Sequence, residues 1–285
     1  MSIRSLTLQS VPLLCGFLLV SATAGASTLL KDRFSQTLPL KPGAEVRLTN
    51  VNGGVTVDAW DRDEIQIEAE KTVRAASDES AHKLMAQIHI DIAPGPAGVR
   101  IDTRSPKRED GGWLADLFNG GGVSVSVTYK LHVPRHVSLD IADTNGGIQA
   151  NGTLGNARLK TTNGGVGVHE VSGNLDLEST NGAIGVTRSA GSLKASTTNG
   201  GIDAELLHLT AGDLHLETTN GGVSLSLPKD ARFSVDAETS NGGIHSDFSV
   251  PGVKPGKHSL KGDVNGGGAK LVIRTTNGGV RIRQV

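Results

Sequence analysis

One short turn sequence returns through this chain at a nearly fixed interval, and no other feature narrows its fold as much. Thr-Asn-Gly-Gly stands at 144–147, 162–165, 198–201, 219–222 and 276–279, with Thr-Asn-Gly-Ala at 180–183 and Ser-Asn-Gly-Gly at 240–243. Asn145, Asn163, Asn181 and Asn199 are 18 residues apart; Asn220 and Asn241 follow at steps of 21, and Asn277 at 36. A period of about 20 residues marks a stacked array of similar units.

Alignment on the asparagine shows what each unit contains. Six and four residues before it stand apolar pairs such as Leu139/Ile141, Leu175/Leu177, Leu214/Leu216 and Leu271/Ile273. Three and five residues after it stand Ile148/Ala150, Val166/Val168, Ile184/Val186 and Val280/Ile282. Each unit is therefore two short strands with apolar inward faces at period two, joined at the Asn-Gly-Gly turn. Glu45–Val57, around Asn52, is an earlier copy.

Asn-Gly is also a strong hairpin signal, so antiparallel hairpins compete with a solenoid. The outward positions favour the solenoid. Five residues before each asparagine, successive units carry Asp140, Arg158, Asp176 and Lys194, which alternate in sign. Alternation is expected where equivalent residues stack about 4.8 Å apart, because like charges in such a column repel. Three residues before the asparagine the run is Lys160, Glu178, Ser196, and there Glu217 and Glu238 depart from the alternation. The expected fold is an all-β parallel solenoid of two strands per coil. Its asparagines should bond coil to coil as amides do in stacked sheets.

The array reads as residues 135–285, preceded by a more irregular part of the same solenoid over 27–134. Ser27–Val46 reads as a short lead-in, Trp60–Glu64 as an exposed turn, and Ile65–Glu70 as a strand. Ser77–Ala86 has a capping start and apolar residues on one side, which predicts a single short helix. Strands are expected at Ile88–Ile92, Val99–Thr103 and Val123–Val133. Residues 105–122 read as a loop whose Trp113, Leu114, Leu117 and Phe118 tuck against the body, with an exposed mobile binding loop as the alternative. Leu206–Gly212 and Pro228–Arg232 read as outward bulges and Val250–Lys261 as an inserted loop. Asn265-Gly266-Gly267 lacks the flanking apolar residues and reads as a decoy of the motif. The helix and the 105–122 loop are candidates to cover one open end, and Arg281 and Arg283 to guard the other.

Residues 1–26 have the parts of a cleavable secretory leader: Arg4, the apolar run Val11–Val20, and Ala24-Gly25-Ala26, with cleavage before Ser27. Ala22-Thr23-Ala24 reads as the alternative cleavage site. The run is shorter than the roughly 20 apolar residues that span a bilayer. Leu14 before Cys15 does not fit a lipoprotein signal. Cleavage removes that one cysteine and Arg4, leaving 27 of the 28 basic residues against 29 acidic ones. Such a balance lacks the basic footprint of a nucleic-acid binder, and the mature chain has no disulfide and no membrane-spanning run. Periplasm, cell envelope and secretion are the locations that follow.

The motifs Val51–Val57, Trp60–Ile65 and Tyr129–Arg135, together with the serial Thr-Asn-Gly-Gly units, make the chain resemble the DUF4097 family of adhesin-like, β-strand-repeat proteins of bacterial envelopes. The resemblance spans residues 33–285. It implies a β-solenoid at the envelope and, from some relatives, an envelope-stress role as an alternative.

The residues form no catalytic, cofactor-binding or metal-binding pattern. Gly164–His169 approaches the calcium-binding nonapeptide, but His169 stands where an aspartate is required. The histidines share no column, and His132 and His136 lie on a strand interrupted by Pro134, where the spacing has no ligand meaning. Asp176 and Glu178 could serve a glycan-active enzyme, but Arg158, Lys160 and Lys194 flank them. Asp58, Asp61, Asp63 and Glu64 read as a solvated corner. The few aromatic residues form no stripe for a lectin platform. The expectation is a non-enzymatic structural or interaction module whose partner is an envelope protein or a surface glycan.

Overall fold

The computed structural model describes residues 27–106, 122–209, 212–251 and 257–285. The leader of residues 1–26 and the loop residues Trp113, Leu114, Leu117 and Phe118 lie outside the described residues, as do positions 210–211 and 252–256 of the expected bulge and insert. Two eleven-stranded sheets face one another, and each coil contributes one strand to each. In the Asn181 coil, Leu175–Asn181 lies in the first sheet and Ile184–Ala190 in the second.

The stack is parallel and in register. Leu175 and Leu177 pair with Ala157 and Leu159 on one side and with Leu193 and Ala195 on the other. Leu177, Leu159 and Ala195 are all fully buried, whereas Asp176 and Glu178 point outward. Each such leucine contributes about 1.5–3 kcal/mol by leaving water. One contiguous core of these columns runs the length of the stack.

The corners are tied by side-chain ladders. Asn145 donates to Asn52, Asn163 to Asn145, Asn181 to Asn163, Asn199 to Asn181 and Asn220 to Asn199, all at 2.7–2.8 Å. Asn277 then donates to Asn220 at 2.8 Å and Asn241 to Asn277 at 2.9 Å. A second ladder lies inside the first. The hydroxyls of Thr161, Ser179, Thr197, Thr218, Thr275 and Thr239, two residues before each asparagine, donate to a turn glycine carbonyl of the neighbouring coil at 2.8–2.9 Å. These hydroxyl residues are buried, and the bonds satisfy carbonyls that would otherwise be desolvated without a partner.

The amide ladder shows one departure from sequence order. The Asn277 coil lies between the Asn220 and Asn241 coils in both sheets. The expectation of Arg281 and Arg283 as guards of the terminal edge is therefore overturned. Their strand, Val280–Gln284, is internal, paired with Val223–Leu227 and Ile244–Ser246. The same insertion accounts for the charge column. Arg274 sits between Glu217 and Glu238, so alternation continues once the coils are placed in spatial order. Asn265 is outside the ladder, as expected of a decoy: its amide donates to Lys229 O and Ala231 O.

Both ends of the stack add antiparallel strands, in both sheets at the first end and in the first sheet alone at the far one. The lead-in is in fact a twelve-residue strand, Thr28–Pro39, antiparallel to Glu64–Ala75. Its inward face reads Leu30, Asp32, Phe34, Gln36, Leu38, and the two polar residues hide the period-two signal. Glu64–Ala75 pairs antiparallel with Ser124–Pro134, which joins the Asn52 coil in parallel. In the first sheet His89–Gly95 and Gly98–Arg104 form an antiparallel hairpin. The helix Asp78–Met85 is capped by Ser77, whose hydroxyl accepts from Ser80 N at 3.2 Å. It buries Ala81 and Leu84 and packs on Thr28–Pro39 and Glu64–Ala75, as a cover for that end.

Edge protection follows familiar rules. The Thr28–Pro39 edge carries Lys31 and Arg33 outward on Glu70, and inward-facing Asp32 pairs with Lys71 at 3.5 Å. At the far end the insert supplies Ser259–Val264, which runs antiparallel to Phe233–Asn241 and carries Lys261. The other edge strand there, Ile244–Ser246, has only three residues. Phe233 and Phe248 meet edge-on at 5.2 Å and close the core.

Leu177→Asp should cost ~4 kcal/mol or more in urea denaturation, because it places an unpaired charge between coils. Asp176→Lys, one residue away, should cost ~1 kcal/mol or less. A chain ending at Val264 should lose hydrogen-exchange protection over 233–251, although these residues precede the deletion. Stacking in sequence order would leave them protected.

Candidate interaction surface

The outer face of the first sheet is charged but internally balanced. Arg47 Nε lies 2.8 Å from Asp140, Lys160 3.0 Å from Glu178, and Lys194 3.4 Å from Asp176 and 3.9 Å from Glu178. Further along, Arg274 lies 3.0 Å from Asp236 and 3.5 Å from Glu238, and Lys261 3.2 Å from Asp236. The hydrogen bond from Lys160 holds the Glu178 carboxyl below the usual range, with Lys194 and Arg158 adding to it. Burial works against the charge of Asp236, but Lys261 and Arg274 together bring it below its ordinary value. A general acid needs the opposite shift. The sequence brought Asp176 and Glu178 together correctly, and the structure clamps both in ion pairs.

The acidic corner is also committed. Asp61 accepts from Arg135 Nε at 2.6 Å, a bond that lowers its carboxyl, and Asp58 accepts from Asn151 Nδ2 at 2.8 Å. Trp60 stacks on His132 with centroids 5.2 Å apart, has Arg62 4.8 Å from its ring, and donates from Nε1 to Glu64 O. Its ring is thus engaged by protein. Among the described residues no group of three or more His, Cys, Asp and Glu side chains could hold a metal ion. Several histidines instead sit beside single carboxylates, as His169 does on Glu170, His215 on Glu217 and His245 on Asp247.

The outer face of the second sheet differs. Four residues after each asparagine, the column reads Thr56, Gln149, Gly167, Gly185, Asp203, Ser224, Arg281 and His245 in spatial order. Open space lies above Gly185, which begins a hollow. The second glycines of four turns, Gly201, Gly222, Gly243 and Gly279, line it as well, with Ala183 in the fifth. The result is a shallow groove of about 670 Å³ across five coils, with Asp203 toward one end and Arg281 and His245 toward the other. Among the described residues neither Asp203 nor Arg281 enters an ion pair. A second hollow, of about 570 Å³, lies in the cap between Arg33, Glu68 and Lys130.

Three features of the corners escaped the sequence reading. The buried hydroxyl column was visible as a recurring Thr or Ser two residues before each asparagine. Asp143 occupies that column in the Asn145 coil, where burial raises its carboxyl to about 6 against the pull of the Thr144 and Asn145 N–H groups. At the opposite corner Glu170 and Arg188 adopt left-handed backbone (φ 53° and 51°) and pair at 3.2 Å. Gly152 at the equivalent position, with φ 74°, was the available signal. Tyr129, buried and bonded to Thr103 at 2.7 Å, is pushed up to about 12 and acts as core.

No curated protein matches the chain in sequence. Solved structures similar to it include a provisionally named cell adhesion protein from Clostridium sporogenes (13% identity, TM-score 0.33, 89% of this chain and 100% of that one). Another is a provisional adhesin from Bacteroides fragilis (11%, 0.36, 89% and 97%). A third is a provisional lipid-binding protein from Parabacteroides distasonis (11%, 0.40, 89% and 96%). At these identities and scores none of them carries a functional argument. The match to the family described as Toastrack DUF4097 is of another order: it covers residues 38–283, from the end of the first strand through the whole ladder, and the chain belongs to that family.

Proposed function

We propose that this protein is an exported, adhesin-like, non-catalytic module of the bacterial cell envelope that presents the groove of its second sheet to an envelope protein or a surface glycan. The leader-like residues 1–26 support export, with residues 27–134 as the capped part and 135–285 as the regular array. One observation carries the reading: most charges of the first sheet pair with one another, whereas the groove leaves Asp203 and Arg281 free of ion pairs among the described residues. Both signs of charge, backbone polar groups and a shallow rigid floor suit an extended polar ligand. They do not form a reaction centre.

Gly185→Arg sends a long side chain into the groove from a backbone outside the left-handed region and from a Cβ position with open space around it. Its melting temperature should stay within about 2 °C of the parent, while binding to an isolated envelope fraction drops at least about tenfold. Protease and glycosidase pretreatment of that fraction distinguishes a protein from a glycan partner. Equal binding by Gly185→Arg and by Arg281→Glu would sink the groove reading. Turnover of an envelope polysaccharide that disappears in Asp176→Asn/Glu178→Gln would overturn the non-catalytic one.

A further inference from the structure

The hydroxyl ladder has one member that cannot donate as the others do in every protonation state. In six coils a Thr or Ser hydroxyl donates to the glycine carbonyl of a neighbouring turn. In the Asn145 coil that place belongs to Asp143, which is 5% exposed. Its Oδ1 accepts from Thr144 N at 2.8 Å, while its buried Oδ2 has no partner. The position of Oδ2 is informative. A methyl group on Gly146 would collide with both Asp143 Oδ2 and Gly53 O, so the two oxygens lie against the same face of that glycine. At the matching Gly242, a methyl group would meet Thr239 Oγ1 and Gly278 O, and there the hydroxyl donates to the carbonyl at 2.8 Å. Asp143 Oδ2 faces Gly53 O as Thr239 Oγ1 faces Gly278 O.

We infer that Asp143 completes the ladder as a carboxylic acid, its Oδ2–H donating to Gly53 O, and that this proton makes the seam between the Asn52 and Asn145 coils pH-sensitive. Two oxygens facing each other in a dry site repel unless a proton lies between them. Among the described residues the groups around the carboxyl are uncharged: Asn50, Asn52 and Gly53 from the preceding coil, Thr161 from the following one, Thr144 and Asn145 from its own turn. Asn50 spends its amide on Asn52 O, Gly53 O and Val127 O. Among the described residues no cation favours the carboxylate, in agreement with a rise that comes from burial. The seam is also where the irregular part we assign to 27–134 meets the regular array, so it is the joint at which opening would separate cap from stack.

The direction of the effect follows. The folded chain holds this proton more tightly than the unfolded chain, whose carboxyl has its ordinary value of 3.8. The bond therefore contributes fully below about pH 4 and is lost as pH rises through about 6. Asp143→Thr replaces it with a hydroxyl that donates at any of these pH values. Urea unfolding of both chains from about pH 4 to pH 8 should show the folding constant of the parent falling about a hundredfold relative to the variant, with the change finished by about pH 7. Hydrogen exchange should place the weakening at 50–54 and 143–147. Parallel pH profiles for the two chains would overturn the inference. So would stabilisation of the parent, but not of Asp143→Thr, by calcium at neutral pH, which would make the site one for a cation. If Asp143→Thr folds poorly, Asp143→Ser keeps the donor with less bulk, and an infrared carboxylic-acid band at about pH 5, absent from Asp143→Asn, reports the proton directly. Absence of that band in the parent overturns the inference as well.

Discussion

The architecture depends on one repeated contact: an asparagine amide donating to the asparagine of the next coil at 2.7–2.9 Å. Each such bond is worth only about 0.5–1.5 kcal/mol, but it demands that every corner have the same shape. That demand propagates inward. The glycine after each asparagine must leave room for the carbonyl of its neighbour, and the residue two before it must satisfy that carbonyl from within. Because the bonds all run one way along the stack, each polarises the next, and a single misplaced corner interrupts the row.

What the contact does not demand is that neighbouring coils be neighbours in sequence. The last coil slips between the Asn220 and Asn241 coils, and the chain reaches that slot by going to the end of the stack and turning back. The exposed columns show why the inserted position is favourable. Without Arg274 between them, Glu217 and Glu238 would stand directly opposite one another. The detour also places an antiparallel strand, Ser259–Val264, at the rim. A parallel stack that simply ended would offer a flat ladder of unpaired backbone groups to the next molecule. The cap of antiparallel strands and one helix does the same work at the other rim.

Much of this was legible in the residues because a two-strand coil writes itself twice: as apolar pairs at period two and as outward columns of alternating sign. The helix at Ser77–Ala86 was legible through its cap. Coil order was not read correctly, although the break at Glu217 and Glu238 was the trace it left. A residue's column can be found from local spacing, whereas the order of columns depends on contacts 36 to 57 residues apart. The first strand was missed because Asp32 and Gln36 sit on its inward face. The groove was invisible for a different reason: it is lined by Gly185 and by the turn glycines Gly201, Gly222, Gly243 and Gly279, in register only after stacking.

The corners and the faces therefore have different freedoms. A corner side chain is bonded to the coil before and after it, so any change there must be made compatible with two neighbours at once. A face residue such as Asp203 or Ser224 touches its column only through outward atoms, and its replacement leaves both ladders intact. Recognition that varies among related chains would accumulate on faces for that reason, while corners stay uniform. Asp143 is the instructive exception. It keeps the corner's geometry but exchanges a permanent donor for one that titrates, so the seam retains the shape of the ladder while its strength becomes a function of the surrounding pH.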